Sequence, residues 1–500
     1  MKNKKMLWTR GLLLLLMLSM VFGTVACKDD GGKTQGDVGT ESETVEEEIT
    51  YPFEIEDLGD ENGAPTPFNM ITRTDRSDFI YAEQDGTIMH DAVFERNALA
   101  EELFNVEITM FEGGDSTAQA YIANVQQDVL GGESKYDCVL GWPGAGLEVR
   151  GWFMNLLTFP EFDFENDEWW LDSWTKNAAF NDCLITCNGD LQFEIYYSMF
   201  ALLYNKPLAA SIEMNPYPYV DNKTWTLEQL SIYCEQIARE DSVNGGFLAN
   251  FSADDDLAAS DCIYGITSYC GGNSMVELGA KFSVLHEDGS VEWQYNSAKN
   301  IDIYEKYFDF WWENDWAFCH STTPLGFAAA QLFTQDRALF HYSCFRMVPE
   351  IRATGVSYGL LPFPMLDEEQ GEYISYSYSL NYFAFLTNTR DFHASALVLN
   401  ALNALSTEIL YDRYFGELLA FRYADDPESS RMVPIIKDAL YLDFLNINSG
   451  VLKGYADYTS SFQSGKKNVA SSLSGVHRML DSLLNATKRM FDQMREINVR

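Results

Sequence analysis

Apolar positions along this chain fall by turns on strand and helix periods. Asp78-Phe79-Ile80-Tyr81-Ala82 predicts a strand, and residues 90–104 predict a helix with Val93, Arg96, Leu99, Ala100 and Leu103 on one face. Val106-Glu107-Ile108-Thr109-Met110 alternates as a half-buried strand does. A second helix is predicted from about Thr117 to Leu130, with Ala118, Ile122, Val125 and Val129 aligned and Gly131-Gly132 stopping it. Tyr136-Asp137-Cys138-Val139-Leu140 then reads as a short buried strand. Strands and helices in this order predict an α/β fold, a parallel or mixed sheet covered by helices.

The alternation continues. Thr226-Leu227-Glu228-Gln229 fits a capping box, because Thr226 and Gln229 can satisfy each other's free backbone donors, and the helix it opens carries Leu230, Cys234 and Ile237. Residues 264–267, 338–342 and 358–361 read as strands. Residues 298–313 read as a helix with Ile301, Tyr304, Phe308 and Trp311 along one face, and long helices fill 393–418, 429–442 and 471–496.

The chain has 500 residues, too many for one ordinary core, which points to two lobes. Lys+Arg 34 against Asp+Glu 75 gives a formal net charge of −41. Such a charge argues against a nucleic-acid partner and against adhesion to an anionic membrane through basic patches. It also disfavours anionic ligands through the mean field of the molecule. Aromatic residues make up 14%, enough to fill cores and to offer flat apolar faces to a ligand.

The first residues read as an address. Lys2, Lys4, Lys5 and Arg10 precede an apolar run, Gly11 to Phe22, and residues 1–26 hold no acid, as in a secretory signal. Thr24-Val25-Ala26-Cys27 resembles a bacterial lipobox, with Thr24 where Leu is usual, so Cys27 is the expected lipidation site and new N-terminus. Acyl chains on that cysteine would anchor the protein without a membrane span. Loss of Lys2, Lys4, Lys5 and Arg10 takes the charge from −41 to −45. Residues 27–63 are acidic and poor in core-forming residues, and read as a disordered tether.

Eight cysteines remain, and both disulfides and buried free thiols are open readings. No metal constellation is predicted: there is no CxxC, and none of His90, His286, His320, His341, His393 and His477 stands at helical spacing to another. HExxH, GxSxG and Walker patterns are absent, and Gly144-Ala145-Gly146 lacks a third glycine at Val149. Asp254-Asp255-Asp256 reads as a solvated loop. No cofactor or catalytic residue is expected.

Four stretches resemble the extracellular solute-binding proteins of ABC importers, family 1, the large sugar-binding group. They are Tyr136-Asp137-Cys138-Val139-Leu140 after a glycine break; Leu203-Tyr204-Asn205-Lys206; Trp225-Thr226-Leu227-Glu228-Gln229-Leu230; and Phe333-Thr334-Gln335-Asp336-Arg337-Ala338-Leu339-Phe340 leading to Phe345 and Leu361-Pro362-Phe363-Pro364, with Asp336 near the family's usual glycine. The resemblance implies a two-lobed periplasmic-binding-protein-like fold of type II, its hinge crossed more than once. Lobe 1 would be 66–192 plus 365–420 and lobe 2 would be 205–355 plus 430–500, with the C-terminal helices able to span both. Crossings are expected near 192–203, 361–365 and 421–434. The resemblance further implies an ABC permease as partner, a small-molecule ligand, a monomer, and a lipid-anchored place on the outer face of a Gram-positive type of cell membrane.

A pyranose has an apolar C–H face and a rim of hydroxyls, which rings and charged or amide groups recognise. Trp142, just past a strand end, is a candidate ring, as is Phe345, at the position of the family's stacking aromatic. Arg346 is a candidate rim contact; Tyr376 and Tyr378 lie where the returning strand would meet the cleft; Glu83 and Asp137 are candidate polar contacts at strand ends. Trp225 reads as a hydrophobic staple, and Trp169-Trp170 and Trp311-Trp312 as core. The rival readings are a cell-surface glycoside hydrolase and a solute-sensing lipoprotein partner of a histidine kinase.

Overall fold

The computed structural model describes residues 50–497 except 75–76, 115–118, 149, 244, 248–259, 269–274, 287, 320–325, 412, 416–426, 453–455 and 474. The signal, Cys27, Asp254-Asp255-Asp256, His320 and Cys270 therefore lie outside the described residues.

Two sheets organise the body. β1 (Thr66–Thr72), β2 (Val106–Glu112) and β3 (Cys138–Gly141) run parallel, and β11 (Tyr382–Ala384) joins antiparallel in the order β11-β3-β1-β2. The register sets Phe68 beside Ile108 and Met70 beside Cys138. The helices Ile88–Phe104 and Gln119–Gly131 are the crossovers that parallel neighbours require.

The second sheet is built from β4 (Phe200–Asn205), β5 (Tyr264–Ser268), β8 (Ala317–Cys319), β9 (Ala338–Cys344) and β10 (Tyr358–Leu361), in the order β10-β4-β9-β5-β8. A separate hairpin pairs β6 (Ser283–Leu285) with β7 (Val291–Trp293). β4 and β9 are buried at every position, covered on both faces, which is why their sequences are nearly unbroken apolar runs.

Local chemistry explains the joints. Thr226 caps the helix Leu227–Ile237, accepting from the Gln229 amide at 3.4 Å, while Trp225 is wholly buried and donates its indole N–H to the Pro362 carbonyl at 3.1 Å. Asn205 ends β4 and caps the next helix through the Leu208 amide at 2.9 Å. Its side-chain amide also reaches Asp336 at 2.6 Å. Asp336 has φ 57°, the left-handed conformation that glycine adopts without strain and that a short Asx side chain tolerates. The acid therefore does the work of the glycine in the sugar-binding pattern.

The chain passes between the sheets from 187 to 200 and again from 361 to 382. The two passages pair antiparallel at Met199 and Ser377 and at Cys187 and Phe383. Ser377 Oγ donates to the Ile195 carbonyl at 2.7 Å and the Phe200 amide to the Tyr376 carbonyl at 2.9 Å. The expected third crossing, 421–434, lies partly outside the described residues.

Three expectations need correction or completion. Residues 78–82 are not a strand but a turn, with the Ile80 and Tyr81 amides both on the Ser77 carbonyl at 2.8 and 2.9 Å. The first strand is instead Thr66–Thr72. Residues 52–63 have no regular structure yet lie on the body: Phe53 stacks on Phe104 at 6.2 Å, and the Leu58 amide donates to the Phe104 carbonyl at 2.9 Å. The ordered body thus begins before residue 63, because Phe53 and Leu58 supply what the preceding acids lack. Cys138, Cys183, Cys187, Cys234, Cys262 and Cys344 are free thiols.

Candidate functional site

Parallel strands place their carboxyl ends together, and in α/β sheets ligands collect outside those ends. In the first sheet that edge is Thr72, Glu112 and Gly141, with Tyr382 opposite Gly141. Trp142 is the next residue, half-buried, with the Tyr121 ring 5.4 Å away and the Arg73 guanidinium 4.4 Å over its own ring. A cation over an indole face is attractive and holds the ring in place. Tyr121 is fixed in turn by donating to the Leu140 carbonyl at 2.8 Å. Gly141 is required here, since a Cβ would come within 2.6 Å of the Tyr382 ring.

Glu148 stands among these groups. It is buried, and the Tyr382 hydroxyl is its side-chain partner. Burial pushes the Glu148 carboxyl up to about 8.

At the second sheet the same kind of edge carries rings. Phe200 is stacked between Tyr342 at 4.8 Å and Tyr376 at 6.1 Å, with Tyr378 edge-on at 6.1 Å. Tyr376 is buried and supports the stack; Tyr378 is 37% exposed and offers a face. Phe345 follows β9 in a 3-10 turn that directs its ring inward, and it is fully buried, so it packs the core and presents no surface. Arg346, next in sequence, is exposed. Partial burial works against its charge, but the hydroxyls of Tyr378 and Tyr197 outweigh it and raise its pKa.

The passages bring the two edges together. Tyr378 and Tyr382 are four residues apart, a span of at most about 14 Å. Half-buried Tyr197, on the first passage, meets Phe79 from the turn after β1 at 4.9 Å. Phe79, Tyr197, Arg346 and Tyr378 therefore make a line of contacts from the turn after β1 to the end of β9.

The remaining predicted residues fall elsewhere. Asp137 lies at the amino end of β3, away from Trp142, where it accepts from Arg390 Nη2 at 2.5 Å and the Asn69 amide at 2.8 Å. Burial raises its pKa, and Arg390 works the other way. Glu83 is exposed, 3.3 Å from the Tyr81 hydroxyl at the end of the 77–82 turn. Phe79, Tyr197 and Arg73 were not singled out from sequence; the Ser77-Asp78 turn chemistry was the available signal for the first. His341 is a core residue, 2.9 Å from Thr267 Oγ1, and burial pushes it down to about 4. Among the described residues no group of three or more His, Cys, Asp or Glu could hold a metal ion.

No protein-family model matches the chain, and no curated protein matches it significantly. Solved structures do. A cyclo/maltodextrin-binding protein complexed with maltotetraose superposes with a TM-score of 0.51 at 13% identity, covering 85% of this chain and 97% of that one. An ABC substrate-binding protein of Listeria monocytogenes in complex with cycloalternan gives 0.49 at 11% identity, over 86% and 99%. An extracellular solute-binding protein of family 1 from Alicyclobacillus acidocaldarius gives 0.49 at 12%, over 86% and 99%. The chain has the two-lobed type II fold of solute-binding proteins. The resemblance read from its sequence holds at the level of that fold.

Proposed function

We propose that the chain is a non-enzymatic solute-binding protein that captures a carbohydrate between its lobes, 66–192 plus 365–420 and 205–355 plus 430–500. The observation that carries this reading is the chain of contacts Phe79 to Tyr197 to Arg346 to Tyr378 beside the paired passages, together with Trp142 held by Arg73 and Tyr121 just past the carboxyl end of β3. Rings serve the C–H face of a sugar and the guanidinium serves its hydroxyls. Only a closed state lets both lobes touch one ligand, so the ligand's added affinity for that state drives closure. Lipid on Cys27 tethers the protein to the outer face of the cell membrane, and the closed, loaded form is what an ABC permease accepts. The maltotetraose bound by the maltodextrin-binding neighbour makes an oligosaccharide the first ligand to try.

A thermal-shift screen of the mature chain against mono- and oligosaccharides, amino acids and peptides tests this. A stoichiometric ligand raises the melting temperature by mass action. Stabilisation by a carbohydrate is expected; stabilisation by peptides alone rejects the carbohydrate reading, and release of reducing ends from a polysaccharide replaces it with hydrolysis.

A further inference from the structure

Arg96 is wholly buried on the helix Ile88–Phe104, and burial lowers its pKa to about 9, with no carboxylate among the described residues offsetting the cost. A guanidinium in that position is expensive, and a leucine would fill the helix face more cheaply. Its hydrogen bonds show what the group does. Nη1 donates to the Phe79 carbonyl at 3.1 Å and to Ser406 Oγ at 3.2 Å. Nη2 donates to the Ile80 carbonyl at 2.6 Å, and both Nε and Nη2 reach Asn97 Oδ1, at 2.9 and 2.8 Å. Asn97 closes the ring by donating to the same Ile80 carbonyl at 3.0 Å.

Two consecutive carbonyls of the 77–82 turn are thus read by one planar fork, the geometry in which arginine differs from lysine. The Ile80 and Tyr81 amides bond within the turn, to the Ser77 carbonyl. Without Arg96 the Phe79 carbonyl would lose this donor and the Ile80 carbonyl would keep Asn97 as its tie to the helix behind the turn. What the turn presents outward is Phe79, whose ring meets Tyr197 at 4.9 Å and Phe193 at 6.0 Å on the first passage.

We propose that Arg96 is a positioning residue for ligand capture: it pins the 77–82 turn so that Phe79 is held against Tyr197 at the edge of the carbohydrate site. The ligand part of this rests on the reading under Proposed function; the pinning does not.

The test uses the mature chain, with R96K, N97A, F79A and the double variant R96K/F79A. Hydrogen exchange of the unliganded proteins comes first. The amides of 77–82 should exchange faster by about tenfold or more in R96K and N97A. The amides of Phe200–Asn205 should keep their protection. Titration follows, with maltotetraose as the first probe and then the carbohydrate that stabilises the wild type. R96K and F79A should each weaken binding about tenfold, and the double variant should bind no more than about twofold worse than F79A, the non-additivity expected of one shared contact. A merely structural Arg96 would lower the melting temperature and give additive losses. Unchanged exchange in 77–82, or additive losses, overturns the proposal. If R96K does not fold, N97A and N97A/F79A carry the same comparison. If the wild type binds no carbohydrate, the proposed function falls, and the exchange result alone decides whether Arg96 pins the turn.

Discussion

The two ends of β3 each hold a buried carboxyl, and the chain treats them differently. At the amino end Asp137 is met by Arg390 and by the Asn69 amide. At the carboxyl end, beyond Trp142, Glu148 is buried against the Tyr382 hydroxyl, and burial outweighs that contact and pushes its carboxyl up to about 8. One end satisfies its polar groups and knits β1, β3 and the loop before the helix Phe392–Ser406 together. The other holds its carboxyl against its charged form and lays out a ring between Arg73 and Tyr121. The first end suits stability and the second suits the proposed recognition, the division expected of an α/β sheet whose ligands lie outside the carboxyl ends of its strands.

The largest effect should come from breaking the satisfied end. Arg390→Ala leaves Asp137 buried without its partner, and should cost about 2–3 kcal/mol in urea denaturation, at the low end of the range for buried pairs because Arg390 is partly exposed. Carbohydrate affinity should change less than about twofold. A large affinity loss with intact stability would reverse the assignment of the two ends.

Glu148 gives the next effect, and its sign is fixed. Its pKa is raised from 4.5 to about 8 in the folded chain, so the unfolded chain releases the proton first and stability falls as pH rises from about 4.5 to about 8. Asp190, raised from 3.8 to about 6, acts in the same direction at lower pH. Between pH 6 and 8 the Glu148 share should be on the order of 2 kcal/mol. Glu148→Gln should flatten that decline when urea midpoints are compared across pH. An unchanged slope would show that Glu148 is not the acid concerned.

Trp142→Ala should weaken carbohydrate binding by about thirtyfold, close to 2 kcal/mol, as for a central aromatic contact. Calorimetric titration measures it, and an affinity within twofold of wild type removes Trp142 from the site. Tyr378→Phe keeps the ring against Phe200 and removes only the hydroxyl beside Arg346. It should cost about 0.5–1 kcal/mol of binding, a loss of a few-fold, by the same titration.

Much of this arrangement was legible in the sequence because it is local. Thr226 and Gln229 announce their helix start, the unbroken runs of β9 and β10 announce strands covered on both faces, and Trp142 follows a strand end that its neighbours make plain. What was hidden depends on partners distant in sequence. Asp78-Phe79-Ile80-Tyr81-Ala82 alternates like a strand, but Arg96, on the following helix, takes the Phe79 and Ile80 carbonyls that a ladder would use. Phe345 and Arg346 are adjacent, one read as a stacking ring and the other as a rim contact; the 3-10 turn after β9 sends the ring into the core and leaves the arginine outside. Asp137 read as a polar group at a strand end, and only the fold shows that this is the end facing Arg390.

Small-angle X-ray scattering of the mature chain, with and without the carbohydrate that stabilises it, tests the central claim most directly. Closure of the two lobes on their ligand predicts a smaller radius of gyration in the saturated protein, and no such change in Trp142→Ala at the same concentration. A saturated wild-type protein with unaltered dimensions would contradict it.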